Sequence, residues 1–160
     1  MNAQAAMKQS MDMADMICHG YLDDLSDADL MRRAAPGVNH INWQIGHLIS
    51  SEHNLVASHF PDDMPALPAG FAEKYAKETA TCDDAGKFCK KEELLSVAKA
   101  QRAGVLKALA KTNEVELDKP SGMEFAPTIG AIFNLIGGHW LMHCGQWVVV
   151  RRQLGHQAKF

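Results

Sequence analysis

The chain has 160 residues, with 19 acidic and 16 basic side chains and a formal net charge of −3. That length suits one domain over residues 1–160, large enough to bury its own core. The basic residues are scattered and outnumbered, which excludes a nucleic-acid footprint, and no apolar run reaches a membrane-spanning length without polar interruption.

Residues Met1 to Asp15 have no apolar signal core and carry Lys8, Asp12 and Asp15, so the start of the chain does not read as a secretory leader. Cys18, Cys82, Cys89 and Cys144 form no Cys-x-x-Cys pair. They read as reduced thiols of a cytoplasmic protein. Nine methionines serve as core filler, whereas eight histidines need individual accounting.

Met7, Met11, Ala14, Cys18, Tyr21 and Leu22 recur at three- and four-residue steps and predict a first helix over residues 2–24, with His19 at its surface or boundary. Ser26-Asp27-Ala28-Asp29 can cap a short turn of helix through Arg33, which Pro36-Gly37 stops. Asn39 is the expected N-cap of a second helix over residues 40–59. Its apolar arc is Ile41, Ile45, Leu48, Ile49, Leu55 and Val56. His47 shares an adjoining face with His40, Trp43, Gln44, Ser51 and Asn54, a face that either lines a polar cavity or meets solvent. His40 reads as a surface histidine near the helix start, and His53 and His59 as exposed.

Pro61, Pro65, Pro68 and Gly70 argue against regular helix in residues 60–86, except for one turn at Phe71–Tyr75. So long a connection is either a cover over a pocket or a crossover, and crossover is the favoured reading. Leu94, Leu95, Val97, Ala98, Val105, Leu106 and Leu109 predict a third helix over residues 90–111 with a solvated charged face. Residues 112–127 read as a second connection. A fourth helix is expected over residues 128–154, capped by Thr128, with Arg151 and Arg152 in its last turn and Gly155 at its stop.

The fourth helix carries the chemistry. His139, His143 and Gln146 fall with Ile132, Leu135, Ile136 and Val150 on one face, inside the apolar stripe. Burying such polar groups costs a few kcal/mol each, roughly, unless they find partners. Two imidazoles four residues apart on a helix can reach one divalent ion, and a histidine from a facing helix would complete a site. The alternative is that they hydrogen-bond within the core or to a second subunit. Cys144 reads as a small buried residue, and Trp43, Trp140 and Trp147 as core. Glu52, five residues past His47, points elsewhere on an ideal helix and is not assigned as a base.

The segments Asn42-Trp43-Gln44-Ile45-Gly46-His47-Leu48 and His139-Trp140-Leu141-Met142-His143-Cys144-Gly145-Gln146 resemble the DinB-like superfamily, the DinB/YfiT-like metalloenzymes. Members carry Gly-His-Leu or Gly-His-Ile on the second helix and His-x-x-x-His-x-Gly-Gln on the last long one. The resemblance spans nearly the whole chain, although residues 60–127 carry no diagnostic motif. It implies an all-α fold, a four-helix bundle with up-down-down-up topology. It also implies a divalent metal, nickel or zinc, held by His47, His139 and His143, with Gln146 behind them. Relatives include enzymes that transfer a small thiol such as bacillithiol to electrophiles, and others that isomerise maleylpyruvate with mycothiol. The expectation is therefore a metal-dependent thiol S-transferase or hydrolase, with a small-molecule thiol or electrophile as partner and a homodimer as assembly. The alternative is a non-catalytic metal-binding or stress-related dimer with structural histidines.

Overall fold

The computed structural model describes residues 1–160, and it is predominantly helical: seven α-helices and one two-stranded sheet. Four helices are long: α1 (Ala3–Leu22), α3 (Ile41–Ala57), α5 (Lys91–Lys111) and α7 (Ile129–Gln153). Three are single turns: α2 (Asp27–Leu30), α4 (Phe71–Lys74) and α6 (Glu114–Leu117). Strands β1 (Pro120–Met123) and β2 (Ala126–Thr128) pair antiparallel, with Pro120 opposite Thr128 and Met123 opposite Ala126.

Local chemistry accounts for the boundaries. Asn2, Ser26, Asn113 and Thr128 cap α1, α2, α6 and α7 through their side-chain oxygens. In α2 and α6 the cap is reciprocal, since Asp29 and Glu116 reach back to the cap backbone. Gly155 follows α7 with φ of 83°, where a residue with a Cβ would be strained.

Contacts fix the helix directions. Met7 of α1 lies by Gly130 of α7, Met11 by Gly137, and Tyr21 by Arg151, so α1 and α7 run the same way. Asn42 reaches the carbonyl of Cys89, just before α5, and Glu52 reaches Arg102, so α3 and α5 also run together. Glu52 bonds Trp140, whereas Gln44 bonds Gln146, so α3 opposes α7. Between the helices lies one cluster of 31 buried apolar residues, running from Met11 to Val150. Burying each large member stabilises the fold by about 1.5–3 kcal/mol before chain entropy is counted.

Several local expectations are corrected. Residues 112–127 are not a plain connection; they hold α6 and the β1–β2 hairpin, whose strands are too short and proline-bearing to announce themselves by alternation. His40, not Asn39, caps α3: its Nδ1 accepts from the Trp43 backbone N–H at 3.0 Å. The residue is fully buried, with Nε2 donating to the Cys82 carbonyl at 3.1 Å. His53 and His59 are half-buried, His53 bonding Gln101 at 3.0 Å. The charged face of α5 is not all solvated, because Arg102 is buried between α1 and α3.

The connection from 60 to 90 is bonded tightly to the first half of α3. A Cβ at Gly46 would sit 2.1 Å from the Tyr75 ring, so the aromatic lies directly on the helix backbone beside His47. The Tyr75 hydroxyl donates to Asn42 and accepts from the Cys89 N–H. Arg33 binds the carbonyls of Ala80 and Cys82.

Candidate metal centre

Helices α3 and α7 bring His47, His139 and His143 together. One ring nitrogen from each lies within 4.8 Å of the others, and all three residues are half-buried. The ring centroids are 5.4 Å apart for His47 and His139, 5.5 Å for His47 and His143, and 5.0 Å for His139 and His143.

Each ring is held differently. His47 stacks on Trp43 at 5.2 Å with 5° between the planes, and the Trp43 indole N–H is itself fixed by Thr79 Oγ1 at 3.0 Å. His143 Nδ1 lies 3.1 Å from Gln44 Oε1. The orientation of that amide is decided by its other partners. Gln44 Nε2 donates to the Asn39 carbonyl at 2.6 Å and to Gln146 Oε1 at 2.9 Å, while Gln44 Oε1 accepts from the Trp147 indole N–H at 2.9 Å. A carbonyl only accepts and an indole N–H only donates, so the amide cannot be reversed. His143 must therefore carry its proton on Nδ1, which leaves the Nε2 lone pair free for a ligand. Gln146 acts through Gln44, not on a histidine directly.

Burial lowers the pKa of all three histidines. His143 falls to about 4, first through burial and then through the neighbouring His139 and His47. Three neutral imidazoles at neutral pH are a donor set that a borderline divalent cation accepts. Three ligands each about 2.1 Å from one ion stand roughly 3.4–3.6 Å apart, so nitrogens that lie within 4.8 Å of one another need to close by about 1 Å to share it. The residues present thus fit a divalent metal.

The sequence placed these histidines inside the apolar stripe of the last helix. Ile132, Ile136 and Val150 of that stripe are buried, together with Phe133, Trp140, Cys144 and Trp147, whereas Leu135, His139, His143 and Gln146 are half-buried and run along its margin. On α3 the polar face begins as a buried network at His40 and Gln44 and opens at His47, Ser51 and Asn54. Cys144 is buried, and its thiol meets Cys18 of α1; that hydrogen bond and burial push the Cys18 thiol up. Glu52 borders the same small space as His139, but its oxygens are committed: Arg102 binds both at 2.8 and 2.9 Å, and the Trp140 indole N–H donates to one at 2.9 Å. Sequence reasoning missed the role of Gln44. Its position three residues before His47 put it on the right face, but only the packing of α7 supplies its partners.

The family model for the DinB superfamily matches residues 12–147, which include all three histidines. The chain belongs to the DinB superfamily. This DinB-superfamily chain is also similar to a solved structure, the crystal structure of a conserved protein from Enterococcus faecalis. That likeness has a TM-score of 0.71 at 17% identity and covers 97% of this chain and 99% of the other, and it shows a shared fold. No curated protein matches the DinB-superfamily chain.

Proposed function

We propose that this protein is a metal-dependent enzyme in which His47, His139 and His143 hold one divalent ion, nickel or zinc, and in which a small thiol is transferred to an electrophile. The observation that carries the reading is the convergence of three imidazoles, with one ring nitrogen of each within 4.8 Å of the others and one ring oriented by Gln44. His47, His139 and His143 would hold the ion, which would supply Lewis acidity that lowers the pKa of a thiol. The protein's own part is positional. Trp43 holds the His47 ring, Gln44 keeps the proton on His143 Nδ1, and burial keeps all three rings unprotonated. Glu52 is committed to Arg102 and Trp140, which favours thiol chemistry over hydrolysis with Glu52 as base.

The reading extends to a cytoplasmic single domain in which α1, α3, α5 and α7 form an up-down-down-up four-helix bundle. It also includes a homodimer, supported by exposed Met13 and Met16 on α1 and Met142 and Val149 on α7. Light scattering in solution tests the dimer; a monomer mass refutes it.

The deciding experiment is elemental analysis of tag-free protein beside the variant His47→Ala, His139→Ala, His143→Ala. About one metal per chain in the parent and loss in the variant is the expected result, and turnover of an electrophile with added thiol then follows. A parent that takes up no metal on titration refutes the centre.

A further inference from the structure

The groove between α3 and α7 does not end at the histidines. From His47, α3 presents Ser51, Asn54 and Leu55 over the next two turns; from His139, α7 presents Leu135 one turn earlier. These residues, with His139 and Phe125, line a cavity of about 390 Å³ that ends at the β1–β2 turn. Its size falls in the range of small-molecule pockets. Phe125 is 71% exposed and belongs to no core cluster, so the hairpin holds a large aromatic ring at the rim where it leaves water only if something packs beneath it.

The lining has no charged side chain. Glu52, next to Ser51 in the chain, is turned inward and neutralised by Arg102. An anionic or cationic group entering this groove would lose hydration without a counter-charge, which disfavours it. A neutral aryl or alkyl group would bury apolar area on Leu55, Leu135 and Phe125, and a carbonyl, amide or hydroxyl on it could bond Ser51 or Asn54.

We propose that this groove is the subsite for the uncharged, largely apolar part of the substrate, with Phe125 as its outer wall. The inference rests on the histidine cluster being the reactive centre, because His139 belongs to both. The substrate class it defines is a neutral aryl or alkyl electrophile whose reactive carbon lies at the histidine end, and any carboxylate it carries must project outside the groove.

The test follows backbone amide shifts by NMR as 4-fluorobenzamide or 4-fluorobenzoate is added to the full chain, with and without zinc. Benzamide is expected to move the amides of Ser51, Leu55, Phe125 and Leu135 and to bind at least tenfold more tightly than benzoate. Leu135→Asp is expected to weaken benzamide at least tenfold, and Phe125→Ala, at an exposed site that leaves the core untouched, about threefold. In the zinc-free chain, benzoate binding as well as benzamide overturns the proposal. So do shifts confined to the larger cleft between α1 and α5, of about 670 Å³, where Asp15, Lys99 and Arg102 lie. Zinc uptake is measured on the same samples. Uptake with no benzamide in the groove overturns the subsite alone, whereas benzamide in the groove of a chain that takes up no zinc supports the subsite and refutes the centre.

Discussion

Replacing Glu52 by alanine removes the group that joins three of the four long helices. Glu52 on α3 is 3% exposed, binds the Arg102 guanidinium of α5 through both oxygens, and accepts the Trp140 indole N–H of α7. In the variant, Arg102 keeps only Asp15 and the Met11 carbonyl, and the Trp140 N–H has no acceptor. Breaking a buried ion pair by removing one partner costs about 3–5 kcal/mol, and Asp15, which still pairs with Arg102, holds the loss toward the lower end of that range. For a chain of this size that is a fall in Tm of roughly 6–20 °C. Urea denaturation followed by circular dichroism measures it. The cause is isolated by a cycle with Arg102→Met. If the loss comes from a stranded charge, Glu52→Ala/Arg102→Met is more stable than the sum of the single losses, with a coupling of about 2 kcal/mol or more. A single-variant loss below about 1 kcal/mol, or strict additivity, refutes the reasoning.

Gln44→Met keeps the volume near His143 but removes the acceptor for its Nδ1–H, so divalent-metal affinity is expected to fall about 10–100-fold. Nitrogen-15 NMR of the metal-free protein is expected to show His143 protonated on Nδ1 in the parent and not in the variant; an unchanged tautomer contradicts the role given to Gln44. Asp24 supplies a pH dependence. Its hydrogen bond with Arg151 holds the carboxyl below the usual carboxylate range. A lowered carboxyl stabilises the fold fully above its unfolded pKa, about 3.9, and loses that contribution as the pH falls through the folded value. Because Asp24 is 40% exposed, the amplitude is that of a surface pair, below about 1 kcal/mol. Asp24→Asn is expected to flatten the acid side of the stability profile, and an unaltered slope between pH 5 and 2 counts against it.

Local sequence chemistry determined the four long helices almost to the residue. Periodicity placed their cores, and a side-chain cap placed the start of α7 at Thr128, because both signals act within one or two turns; the cap of α3 proved to be His40, and α5 has no side-chain cap. His139 and His143 were legible as a pair from their spacing along α7, whereas His47 was picked out only by the resemblance of Gly46-His47-Leu48 to the DinB-like motif. What joins residues distant in sequence was not legible. Arg102 reads as one more charge on a solvated helix until Glu52 and Asp15 close around it, fifty and eighty-seven residues away. Gln44 reads as a polar residue on a face open to either reading until α7 brings His143, Gln146 and Trp147 to its amide. The margin on which the histidines stand was also set by packing. Periodicity gives the angle between residues on a helix, but which sector of that angle turns inward depends on the helices laid against it. The tertiary structure alone therefore decided which imidazole nitrogen is left free, and where the groove beyond it leads.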